Sequence, residues 1–467
     1  MSENCSMFDA ETKRVCLEQI RTASANFGER NPVIWGTHEK GAFIKELLEE
    51  LGYSCSFFVS SRPKTDTYCG VPLRTPEILD VNKHYVFLAT SSSEVKEYLH
   101  SHGFSETDEQ DCLEVGYFYY SCAFLEKICL NGGNWIADTE NKLLYCCLDM
   151  PNPPSVSYSI SDAPQEIMER FLDYRDRWIN ESRKFDSDRS EEGRVLTTPC
   201  IGCSCYQKKN WLLERGIYVV NLSVYPAPCQ SKCFYCDVHL KGHTRYHDTT
   251  EERNGYEAFW GILEYAKNKG MFRENVQWLV TSGEITIHPY RERILNLIGS
   301  DTARFFTNGM KYDEQIAQKL SENPKSDIFI SVDSGTAETW HRVKGVDNFD
   351  TVKKNLFRYH AKCLSPDQIA LKYIIFPGVN DFDADFCGII ELMKQLHITK
   401  LNVSCEIRQD HREKSRADIV RSAMRLFALC EKNGICPFVD EGVWQYTPEE
   451  YEEIRQGAKA LLTDGAI

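Results

Sequence analysis

No stretch of this 467-residue sequence approaches the ~18 uninterrupted apolar residues that a membrane-spanning helix requires. The opening "MSENCSMFDAETKR" is polar and charged and lacks the apolar core of a secretion signal. A cytoplasmic protein with no membrane partner is therefore expected. Basic residues are in deficit, with 54 Lys and Arg against 69 Asp and Glu and a net charge of -15. That balance leaves little for the clustered cationic footprint that a phosphate backbone demands, so nucleic acid is not an expected partner. Internal repeats and low-complexity tracts are not evident. Cysteine, by contrast, is plentiful, at 20 residues. Without a secretion signal these are expected as reduced thiols, most of them small buried hydrophobes and some of them metal ligands. The length, with 42% hydrophobic residues, implies two or three domains.

After an N-terminal helical extension over 1–30, the segment "NPVIWGTHEKGAFIKELLEELGYSCSFFVSS" reads as strand, glycine turn, amphipathic helix and strand. "HYVFLAT" adds another strand and "SSEVKEYLHSHGF" another helix, so residues 31–130 are expected to form a small doubly wound domain. Its strand-to-helix start resembles the Rossmann-like domain at the front of sugar-modifying acyltransferases. A dinucleotide site is disfavoured. His38 stands between Gly36 and Gly41, where close approach to a pyrophosphate needs glycine, and Ser60 and Ser61 stand where an acid would hold a ribose. A docking or scaffold role follows. Residues 131–215 read as a connector with a charged helix and the Cys-rich "PCIGCSCYQ".

From Ile217 the pattern becomes regular. Six strand-length apolar runs, "IYVVNLSVYP", "VQWLVTSGE", "ARFFTNG", "DIFISVDS", "IALKYIIFPG" and "KLNVSCEI", alternate with amphipathic helices over 216–440, and a C-terminal helix fills 441–467. Strict alternation implies a parallel sheet wrapped by helices, with function at the carboxyl ends of the strands. Glu284, Asn308, Asp333, Asn380 and Glu406 all fall at or just past such ends. So does "PCQSKCFYCD", which places Cys229, Cys233 and Cys236 on the loop after the first strand. Three thiolates with His239 would close a four-ligand zinc site. Three thiolates alone suit an iron-sulfur cluster with one iron left open.

The CxxxCxxC triplet, with an aromatic before its last cysteine, resembles the signature of the radical S-adenosylmethionine (SAM) superfamily. Further segments in the same order are similar to that family's: "TSGEITIHP", "FFTNG", "ISVDSGTAETWHRVKG" and "IIFPGVND". The resemblance covers about residues 215–440. It implies a partial (β/α)6 TIM-like barrel, a 4Fe-4S cluster on Cys229, Cys233 and Cys236, and SAM on the open iron. It also implies that an electron from the reduced cluster cleaves SAM to a 5'-deoxyadenosyl radical, which abstracts hydrogen from a substrate. Oxygen sensitivity and a low-potential electron donor such as flavodoxin or ferredoxin come with that chemistry.

By the same resemblance Ser282, Gly283 and Glu284 would hold the methionine amino group of SAM. Asn308, Ser331 and Asp333 would support its ribose and carboxylate, and Tyr235 would lie near adenine. Each has a plainer alternative: a turn residue at Asn308, packing at Tyr235, and strand-end polarity at Glu284 and Asp333. Cys200, Cys203 and Cys205 could ligate an auxiliary iron-sulfur cluster, bind zinc or stand free. The substrate is left open among saccharides, nucleotide-linked compounds and peptides. Two other functions compete: a noncatalytic zinc-binding scaffold and a nicotinamide-dependent reductase using the first domain.

Overall fold

A computed structural model describes residues 10–90, 92–116, 118–126, 128–135, 141–145, 155–187, 207–211, 216–222, 224–225, 227–240, 242, 244–281, 283–406, 415–439 and 446–465. The chain divides into two compact units. One comprises Met1–Glu126, Ile179–Gly193 and Tyr206–Arg215, the other Lys127–Trp178, Arg194–Cys205 and Gly216–Ile467.

The sheet of the first unit runs Thr67–Tyr68, Val71–Arg74, Phe58–Val59, Asn31–Trp35, His84–Leu88, Cys112–Glu114, and every pairing is parallel except the Thr67–Tyr68 hairpin. The chain works outward from Asn31–Trp35 to one side and then to the other. Alternate residues of that central strand serve opposite faces, as strand geometry requires. Ile34 packs with Ile44, Leu47 and Leu48 of the helix Glu39–Glu50, whereas Val33 and Trp35 pack with Val95 and Leu99 of the helix Ser93–Ser101. The expected N-terminal extension is part of this packing. The helix Ala10–Ala23 contributes Cys16, Ile20 and Ala23 to the same cluster as Ile34, because these positions recur on one helical face. At the turn after the central strand Gly36 has φ +126°, and a Cβ at Gly41 would lie 2.2 Å from the Gly36 carbonyl oxygen. His38 between them is exposed.

The second unit is built on a larger sheet. Its order is Ser155–Tyr158, Asn141–Leu144, Cys129–Trp135, Ile217–Asn221, Phe272–Val280, Thr302–Thr307, Asp327–Ser331, Ile369–Ile375, Lys400–Cys405, Cys436–Phe438. From Cys129–Trp135 onward the pairing is parallel, giving eight parallel strands with helices between them, an architecture consistent with a partial TIM-like barrel. Ile328, Phe329 and Ile330 are consecutive and all buried, as are Ile369, Ala370 and Leu371. Both faces of these strands are therefore covered, which is what crossover helices do to a parallel sheet.

The six expected strands all occur, and the sheet continues past both ends of the set. Cys436–Phe438 extends one edge. Cys129–Trp135 extends the other and pairs antiparallel with Asn141–Leu144, which pairs with Ser155–Tyr158. Residues 131–215, expected as a connector, thus supply strands to this sheet. The run "CLNGGNW" carries two glycines where a strand usually carries branched residues, so composition conceals it.

Candidate active site at the cysteine loop

Two strand-to-helix junctions and one helix end grip the loop that carries Cys229, Cys233 and Cys236. At the first, the Glu284 amide donates to the Pro228 carbonyl at 2.7 Å. Gly283 beside it has φ +72°, and a Cβ there would lie 2.6 Å from the Ala227 carbonyl carbon, so only glycine fits. At the second, the Asn308 side-chain amide donates toward the Cys229 sulfur at 3.6 Å. Its oxygen accepts from the Met310 amide at 2.9 Å and from Gln230 Nε2 at 3.3 Å. At the third, the Lys232 amide donates to the Lys344 carbonyl at 2.9 Å, where the helix Ala337–Lys344 ends in a left-handed Gly345. A Cβ on Gly345 would lie 2.9 Å from that of Lys232. Ser231 Oγ also donates to the Lys344 carbonyl, at 3.4 Å, and lies 2.9 Å from the Cys233 sulfur.

Glu284 is completely buried, and its carboxylate is already in use. Oε1 accepts from the Thr286 amide and hydroxyl and from the Thr307 hydroxyl at 2.8–3.2 Å, and Oε2 accepts from the Asn308 amide at 2.7 Å. Burial pushes its pKa up and these donors pull it back. The side chain ties two strand ends together; Oε2 keeps a further lone pair.

Asp333 is also completely buried, at a φ of +53° that costs energy for a non-glycine residue. Its oxygens accept from the Ile374 amide at 2.7 Å, from the Tyr235 hydroxyl at 2.8 Å and from the Lys344 ammonium. These bonds tie the carboxylate into the protein, and Oδ1 keeps a further lone pair for the expected SAM contact. Tyr235 is likewise engaged through its hydroxyl, and its ring meets Phe376 at 4.8 Å. Asn380, buried, donates to the Asp333 and Ile374 carbonyls at 2.9 and 2.7 Å. Ser331 is half-buried at the end of its strand, and Glu406 is half-buried just past Lys400–Cys405. Ser282 lies outside the described residues, as do Cys200, Cys203 and Cys205.

The donor set fits an iron-sulfur cluster. Burial pushes the Cys229 thiol up to about 12, with Glu284, Cys233 and Cys236 adding to the effect against a backbone hydrogen bond from Ser231. A bound metal would displace the proton of a thiol placed in this way to solvent and hold it as thiolate. Beside it, Gln230 Oε1 is buried with no hydrogen-bond partner among the described residues, an acceptor awaiting a donor. Among the described residues no three His, Cys, Asp or Glu side chains stand close enough to hold one metal ion. A cluster asks for wider spacing than a single tetrahedral ion, since bridging sulfides separate its irons. His239, the fourth ligand of the zinc alternative, is half-buried in the short helix Asp237–Leu240.

The Radical SAM superfamily model matches residues 227–393, the stretch from the cysteine loop through the fifth of the six expected strands. Residues 227–393 thus resemble the radical SAM domain, whose family works with SAM and a 4Fe-4S cluster. Among solved structures, a radical SAM methyltransferase from Sphaerobacter thermophilus aligns at 16% identity and TM-score 0.32, over 46% of this chain and 64% of its own. SuiB from Streptococcus suis bound to S-adenosylmethionine aligns at 12% identity and TM-score 0.37, over 72% of this chain and 76% of its own. SuiB bound to precursor peptide SuiA aligns at 12% identity and TM-score 0.36, over 72% and 77%. TM-scores this low establish no shared detailed architecture. The chain spans 64% of the methyltransferase's length. No curated protein matches it.

Lys344, Gln230, Thr286 and Thr307 went unmarked as site residues in the sequence. Lys344 had a visible signal: a lysine directly before the glycine that ends "TWHRVKG", where the helix must stop.

Proposed function

We propose that the protein cleaves SAM reductively at a 4Fe-4S cluster on Cys229, Cys233 and Cys236 and uses the product to abstract hydrogen from an organic substrate. The observation that carries this reading is the cysteine loop itself, fastened at two strand-to-helix junctions and one helix end inside a segment that matches the radical SAM family. Bound there, the cluster and SAM would supply a 5'-deoxyadenosyl radical. The chain's own part is to position and to exclude water. Asn308 lends an N–H to the Cys229 sulfur, a contact that bears on cluster potential. Gln230 Oε1 and the remaining lone pair of Glu284 would accept from the amino group of SAM, and Ser331 would meet its ribose or carboxylate.

The substrate class stays with saccharides, nucleotide-linked compounds or peptides, the first unit acting as a docking module for substrate or carrier. A flavodoxin or ferredoxin would supply the electron in the cytoplasm, and Cys200, Cys203 and Cys205 would hold an auxiliary cluster. None of the described helices is long and apolar enough to cross a membrane.

The test is anaerobic. The protein is reconstituted with iron and sulfide, reduced with dithionite and given SAM, beside a variant with Cys229, Cys233 and Cys236 all changed to Ala. The native protein is expected to release 5'-deoxyadenosine and the variant none. Intact SAM with a zinc-loaded native protein, under conditions that support a control enzyme, would overturn the proposal in favour of a scaffold.

A further inference from the structure

Lys344 is a cation that neither cluster ligation nor the expected SAM contacts require. Its side chain is 1% exposed and faces Asp333, itself fully buried. The ammonium also donates to the Tyr235 hydroxyl at 3.1 Å and sits 5.5 Å from the centre of that ring. Burying an ammonium costs several kcal/mol unless it is paired and hydrogen-bonded, and a lone buried lysine sheds its proton instead. Here burial pulls the pKa down, but Asp333 and then Cys233 pull it up, with a net rise, so Lys344 keeps its charge.

The same residue also governs the loop. Its carbonyl receives the Lys232 amide and the Ser231 hydroxyl, which bracket the chain just before Cys233. Asp333 is held for the task by the Ile374 amide and by its own left-handed backbone. One residue thus supplies the seat of the cysteine loop through its carbonyl and sets an ammonium, paired with Asp333, against the Tyr235 hydroxyl of the same loop. The reduced state of an iron-sulfur cluster is the more negative one, and a nearby cation in a low-dielectric setting favours it.

We propose that Lys344 is a positioning residue of the cluster site, whose ammonium, held by Asp333, raises the potential at which the cluster accepts its electron. This inference rests on the function proposed above.

Its test is an EPR-monitored redox titration of the reconstituted holoenzyme, with iron content measured for each protein. The proteins compared are native, Lys344→Arg, Lys344→Met, and Lys344→Met combined with Asp333→Asn. Lys344→Met leaves a buried carboxylate unpaired and can fail to fold, so the double variant, which removes both charges, is the decisive one. At the native midpoint, Lys344→Met is expected to hold roughly tenfold less reduced relative to oxidised cluster, a midpoint ~59 mV more negative for one electron. The double variant should also lie more negative than native, by less, and Lys344→Arg should return close to native. A double variant that binds full iron at the native midpoint would overturn the inference. Variants that lose iron but retain the native midpoint in the loaded fraction would also overturn it, leaving Lys344 a structural role alone. A native protein that binds no cluster would instead sink the proposed function, and the iron assay separates that failure from the others.

Discussion

Glu284 and His288 sit four residues apart in one segment, both buried, and burial acts on them in opposite senses. Glu284 is stabilised by four donors, and in Glu284→Gln the amide NH2 would face the backbone N–H of Thr286 or of Asn308, which can only donate. The expected cost is about 1–3 kcal/mol, together with reduced iron loading, read by thermal unfolding and iron assay. His288 is 8% exposed, and burial lowers its pKa from 6.5 to about 4, while its Nδ1 accepts from the Tyr290 amide at 3.1 Å. Between those two values the unfolded chain binds a proton that the folded chain refuses. Stability therefore falls as pH drops through this window, by up to about 3 kcal/mol. His288→Gln should flatten that part of the pH profile of thermal unfolding relative to native; an unchanged slope would contradict the assignment.

The strands and the cysteine loop were legible because apolar runs of strand length, their alternation with helices and the position of polar residues at strand ends all leave marks in one dimension. The grip on the loop was only half legible. Gly283 could be read from its motif, but its reason is the Ala227 backbone, more than fifty residues away in sequence. Gly283→Ala should therefore do more than remove a flexible residue. The methyl would collide with Ala227 and occupy an unfavourable φ, costing more than ~1 kcal/mol and displacing the loop. Iron retention at native levels in a stably folded Gly283→Ala protein would contradict that account. The strands Cys129–Trp135 and Asn141–Leu144 were hidden for another reason: their residues have weak strand preference, and it is pairing with Ile217–Asn221 that recruits the first, which in turn pairs with the second. Asp333 also belongs here. Its place after a strand suggested a ligand contact, and Lys344, eleven residues on, also makes it a buried pair.

The two units have separate cores, and their consequences should separate as well. Leu47 and Leu48 are buried in the first unit against Ile34 and Phe58, so Leu47→Ala is expected to cost about 2–5 kcal/mol of that unit's stability. Iron content in the second unit should be unaffected, which limited proteolysis alongside iron assay would check. Chemistry is expected only where the cysteine loop lies. The most direct measurement of that claim is the EPR spectrum of the anaerobically reconstituted, dithionite-reduced protein, recorded with and without SAM. A 4Fe-4S signal whose g values change when SAM is added, and which disappears in the Cys229, Cys233 and Cys236 triple-alanine variant, is the expected result. The absence of any signal that responds to SAM, or a SAM-responsive signal that survives loss of all three cysteines, would contradict the account.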